Sequence, residues 1–67
     1  MYKNVRIEMV RMNMTLVDLS NATGIRYQTL SEKMRGNSPI LLSEAILIKQ
    51  ALHTDMPLEK LFAVDPE

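Results

Sequence analysis

The sequence predicts an all-α fold of five short helices in a single domain spanning residues 1–67, and three observations carry that expectation. Apolar residues recur at helical spacing. Turn-forming residues are few and fall between helix-sized pieces, at Gly24, at Gly36-Asn37-Ser38-Pro39 and at Pro57. No β-branched stretch alternates with period two over more than a few positions.

Each helix has its own local reason. From Lys3 to Met12, the apolar Val5, Met9 and Met12 recur at i, i+4 and i+7 with Arg6, Glu8 and Arg11 between them, an amphipathic pattern that Asn13 ends. Thr15 is a good N-cap, and Asp18 three residues on completes a capping box with a shorter acid, which predicts a second helix from Leu16 to about Ala22. Gly24 supplies a sharp turn. A third helix is predicted from Arg26 to Arg35, closed by Gly36 as a left-handed cap and followed by the loop Asn37-Ser38-Pro39. From Ser43 to His53, Ala45, Ile46, Leu47, Ile48, Ala51 and Leu52 form a stripe broad enough for a core-facing fourth helix. Pro57 stands where a fifth helix begins, with Leu58, Leu61 and Phe62 on its apolar side.

Composition narrows the class. With 67 residues and no cysteine there is no disulfide framework and no thiolate zinc site. A domain this small buries only about 60% of its unfolded surface, so its stability is expected to be marginal unless a second copy adds contacts. The chain is 46% hydrophobic and 24% charged, which is globular composition. Apolar runs such as Pro39 to Leu42 are far too short to cross a bilayer. The first residues lack the apolar stretch of a secretory signal, so a cytoplasmic location is expected.

The net charge of zero conceals two unlike halves. Residues 1–38 hold six basic and three acidic residues, a net of +3, and residues 39–67 hold two basic and five acidic, a net of −3. Binding to a polyanion depends on where positive charge sits, so the first half is the candidate binding half.

Residues Thr15 to Gly36 carry the informative motif: two short helices joined by a turn of three to four residues, the spacing of a helix-turn-helix. Such a unit needs a small residue at the helix crossing, a turn residue free to take positive φ, and apolar anchors for the second helix. Ser20, Gly24 and the trio Leu19, Ile25 and Leu30 fill those roles.

This segment resembles the helix-turn-helix of phage repressor and Cro-type regulators. Lys33-Met34-Arg35-Gly36, followed by Ser43-Glu44-Ala45 and Leu58-Glu59-Lys60-Leu61-Phe62, is similar to the small Cro-like regulators of Gram-positive phages, over roughly Tyr2 to Phe62. The resemblance implies a lambda-repressor-like DNA-binding domain, a transcription regulator of a phage or prophage. Its expected partners are double-stranded operator DNA and a second copy of the chain, with one third helix per half-site about 34 Å apart. Four positions depart from the family pattern. Thr15-Leu16 replaces the usual Thr-Gln, so the phosphate contact of that amide falls to Thr15 or to backbone amides. Ser20 replaces the usual alanine. Met9 and Met34 stand where many relatives pair an arginine with a glutamate; replacing both members together by apolar residues avoids a stranded charge, and predicts that the two methionines meet.

With Leu30 and Met34 facing inward, Gln28, Ser31, Glu32 and Arg35 form a polar face on the third helix, with Tyr27 at its rim. Gln28, Ser31, Tyr27 and Arg35 are the expected base contacts, because an amide pairs bidentately with adenine and a guanidinium with guanine. Thr15, Arg26 and Lys33 are the expected phosphate contacts. Lys3 and Arg6 read as solubilising charges. Glu32 either accepts from cytosine or pairs with Arg35 three residues on, and the pair is favoured.

His53 is the only histidine and reads as a cap near the end of the fourth helix rather than a metal ligand. The methionines at 9, 12, 14 and 34 match core spacing. No paired carboxylates, activated nucleophile or phosphate-cradling glycine loop occurs, so no catalytic residue, metal, cofactor or small-molecule substrate is expected. Leu58, Leu61 and Phe62 either close the core or face a dimer partner. The reading from another class is a protein-interaction module, an antirepressor or adaptor, that does not read bases; Glu32 on the polar face is its best support.

Overall fold

The computed structural model describes residues 2–64, which form five α-helices and no strand. They are α1 (Lys3–Arg11), α2 (Leu16–Thr23), α3 (Tyr27–Met34), α4 (Leu42–Leu52) and α5 (Leu58–Leu61). All five expected elements are present, with ends shifted by a residue or so for identifiable reasons. Asn13 takes a left-handed φ of 54° just beyond α1, a conformation that asparagine tolerates better than most side chains. Thr15 and Asp18 make both halves of the capping box: the Asp18 amide donates to Thr15 Oγ1 at 3.2 Å and the Thr15 amide to Asp18 Oδ2 at 3.0 Å. The bond from the Thr15 backbone, then that with its hydroxyl, holds the Asp18 carboxyl below its usual range.

Arg26 and Arg35 flank α3 as its caps instead of lying within it. α4 starts one residue earlier than expected because Glu44 Oε1 accepts from the Leu41 amide at 3.0 Å, closing the helix entry there. It ends at Leu52, and His53 caps it with a left-handed φ of 51°.

The core takes residues from every helix: Val5, Leu19, Leu30, Met34, Ile48, Leu52 and Leu61. α2 lies between α3 and α4, while α5 packs on α4 and α1. The Tyr2 ring meets Phe62 edge-on at 5.5 Å, and Asn4 Nδ2 donates to the Lys60 carbonyl at 2.8 Å, tying the first residues to the last helix. Arg11 makes a second tie. Its Nε donates to Glu8 Oε1 at 2.7 Å and its guanidinium to the Leu52 carbonyl at 3.2 Å, so it pairs the mostly buried Glu8 carboxylate and occupies a free carbonyl at the end of α4.

One correction follows from this packing. Leu61 is fully buried and closes the core, so it cannot belong to a surface that meets a partner. Leu58 and Phe62 are only half-buried. No helix among the described residues is long and apolar enough to cross a membrane.

Candidate nucleic-acid interface

The α2–α3 junction is built from side chains that replace backbone partners. Gly24, at φ 78°, donates to the Ser20 carbonyl at 2.9 Å, and the left-handed conformation costs it nothing because it has no Cβ. The Ser20 hydroxyl donates to the carbonyl of Ile25 at 2.5 Å, across the turn. Alanine could not make that bond. Thr23 Oγ1 donates to the Leu19 carbonyl at 2.8 Å and accepts from the Ile25 amide at 3.3 Å. The turn is therefore pinned from both sides, and it fixes how α3 sits on α2.

On that support, Leu30 and Met34 point inward and the outer strip of α3 is left open. Tyr27, Gln28, Thr29, Glu32 and Arg35 are all exposed, with Tyr27 at 49% and the Arg35 side chain at 63%. Two shallow hollows flank the strip. One lies among Gln28, Thr29, Glu32 and Ser38; the other has Tyr27, Ser31 and Arg35 on its α3 side and Met9 and Met34 among its apolar lining. Both methionines line this hollow, on one side of the molecule and not on opposite faces. Ser31 is half-buried at that hollow rather than standing on the open strip.

Glu32 does pair with Arg35, at 3.9 Å, but both side chains are largely exposed, where such a pair contributes little. Asn37 Nδ2 donates to Glu32 Oε1 at 2.9 Å and restrains the carboxylate more closely. Thr15 and Arg26 are exposed at the starts of α2 and α3. Lys3 and Arg6 are exposed on α1, and each already has an interaction of its own.

Lys33 requires a correction. Its Nζ donates to Glu44 Oε1 at 2.8 Å and to the Pro39 carbonyl at 3.1 Å, and only 13% of its side chain is exposed. It fastens the end of α3 to the entry of α4 and is not available to a phosphate. The hydrogen bond from Lys33, then that from the Leu41 amide, holds the Glu44 carboxyl below its usual range. With Arg11 and Lys33 engaged elsewhere, the cations beside the α3 strip are Arg26, Arg35 and Arg6, the last lining the hollow that holds Tyr27 and Ser31.

Three polar residues near the strip escaped the sequence reading. Thr29 lies at the flank when the helix is phased on Leu30, and Asn37 and Ser38 read only as loop punctuation. Nothing in a helical-periodicity argument brings a loop residue back beside the helix it follows. Among the described residues, no group of three or more His, Asp or Glu side chains is placed to hold a metal ion. Comparison with family models, with curated proteins and with solved structures gives no match, so the functional reading rests on the residues themselves.

Proposed function

We propose that this chain is a helix-turn-helix transcription regulator of the Cro or repressor type, reading operator DNA by placing α3 in the major groove. The observation that carries the reading is the open outer strip of α3, held on α2 by a pinned turn with no other helix over it. A major groove admits one α-helix and presents a distinct pattern of donors and acceptors for each base pair. Gln28 and Tyr27 would meet bases, joined by Thr29 from the same hollow. Arg26 and Thr15 would meet phosphates, Thr15 through a hydroxyl proton that its cap does not use, and Arg35 would grip a guanine or a phosphate. The acidic residues of the second half would face away from the duplex.

A second reading, a protein-interaction module, is favoured by one observation: the Glu32 carboxylate stands on the same strip and would be repelled by phosphates. Selection of bound sites from random duplexes, followed by a salt titration on the selected site, separates the two. The DNA reading expects one enriched sequence and an affinity that falls steeply with salt, with a log–log slope of about −0.9 per neutralised phosphate. No enrichment, or salt-insensitive binding, would reject it.

A further inference from the structure

The hollow between α1, α2 and α3, beside the α3 strip, has a chemistry that the other hollows lack. Its floor is apolar: Met34 is buried, and Met9 and Leu16 are half-buried against the core. Its rim carries the guanidinium groups of Arg6 and Arg35 and the hydroxyls of Tyr27 and Ser31. No carboxylate lines it. Among the described residues four other hollows each have one: Asp55 lines the two beside His53, Glu59 the one at Tyr2 and Phe62, and Glu32 the one at Gln28. The uncharged floor also belongs to the most enclosed of the five, with a volume of about 340 Å³, at the small end of the range for ligand sites. Among the described residues the Tyr27 and Ser31 hydroxyls make no hydrogen bond. Arg6 has an interaction of its own, so Arg35 is the cation that matters most here; its guanidinium pairs with Glu32 at 3.9 Å in solvent, a contact that costs little to give up.

We propose that this hollow binds a small aromatic carboxylate. Thioether sulfur makes favourable contact with aromatic rings, so a flat body would lie on Met9 and Met34 beside Leu16. A guanidinium pairs with a carboxylate through two parallel hydrogen bonds, and Arg35 stands at the rim where the acid group would emerge. The Ser31 and Tyr27 hydroxyls can donate to the same oxygens. A cation would be repelled by two arginines, and a neutral ligand would leave the rim unused. No small molecule was expected from the sequence, because the lining comes from three helices that local pattern does not bring together. Tyr27 and Arg35 also belong to the strip proposed to read DNA, so an occupied hollow would withdraw both from a duplex. That consequence rests on the DNA reading; the binding itself does not.

Magnetic resonance titration of the isotope-labelled full chain with β-naphthoate, without DNA, tests the site. The probes set beside it are β-naphthylmethanol, which keeps the rings and loses the charge, and octanoate, which keeps the acid and loses the rings. The expected result is a set of amide and methionine methyl shifts at Met9, Ser31, Met34 and Arg35, with a dissociation constant of about 1 mM or tighter for naphthoate. Affinity should be about tenfold weaker for the alcohol and at least about threefold weaker for octanoate. Arg35→Ala should weaken naphthoate about tenfold and leave the alcohol unchanged, a split that loss of packing would not give. Met9→Glu, which puts a carboxylate on the floor, should abolish naphthoate binding. Circular dichroism checks that each variant is helical; should Met9→Glu unfold, Arg35→Ala at its exposed position carries the test. Absence of shifts at these residues would overturn the proposal, as would equal affinity for acid and alcohol or tighter binding of octanoate. On a selected duplex, saturating naphthoate should weaken DNA binding. A probe that fills the hollow and leaves DNA binding unchanged would overturn the link to the α3 strip, while a chain that binds naphthoate and no DNA would support the site and reject the DNA reading.

Discussion

Gln28 stands exposed on the outer strip of α3, next to Tyr27 and one turn from Glu32. An amide there can pair with adenine N6 and N7, so Gln28→Ala should cost about 1 to 3 kcal/mol on a selected operator and little on random DNA, measured by parallel titrations. Equal losses on both would remove it from base reading. Lys33 gives the contrasting case. Because its ammonium is held by Glu44 and Pro39, Lys33→Ala should lower thermal stability and leave the salt slope of DNA binding unchanged. Arg26→Ala should instead reduce that slope by about 0.9, the share of one phosphate. The difference between these two cations was not legible in the sequence: Lys33 and Glu44 are eleven positions apart, across a loop whose path local pattern does not determine.

At the scale of the elements, the pattern of apolar residues located all five helices, and capping chemistry decided their ends. Thr15 with Asp18 was readable because both partners lie within one turn. The entry of α4 was not, since a leucine occupies its N-cap and the acceptor is a glutamate already engaged from another helix. Two left-handed caps carry further predictions. A Cβ on Gly24 would touch nothing within 4 Å, so Gly24→Ala is opposed only by its backbone conformation and should cost about 1 kcal/mol. His53 adopts a similar conformation with a full side chain, so His53→Gly should stabilise the fold by up to about 1 kcal/mol. Urea unfolding of the two variants checks both signs; a destabilised His53→Gly would mean that its imidazole contributes more than its backbone costs.

For the molecule as a whole, stability should depend on pH through two carboxylates, Asp18, which caps α2, and Glu44, which ties α4 to α3. Asp18 and Glu44 both have pKa values lowered on folding. Their contribution is therefore present above the ordinary carboxylate range, near pH 4, and is lost as pH falls through the lower folded values. The urea midpoint should fall between pH 6 and about pH 3, and Asp18→Asn with Glu44→Gln should flatten part of that fall. An unchanged profile would mean that neither bond is maintained in solution. The charge asymmetry visible in the sequence also looks different in three dimensions. Arg11 and Lys33 serve internal ties, so the +3 of the first half overstates the charge a duplex would meet. What remains is a small open strip with Arg26 and Arg35 near its ends and Arg6 on one flank. The most direct test of that strip is a nuclear magnetic resonance titration of the labelled chain with a selected duplex. Amide shifts concentrated from Arg26 to Glu32 and at Arg35 are predicted; shifts confined to α4 and α5, with α3 unmoved, would contradict the assignment.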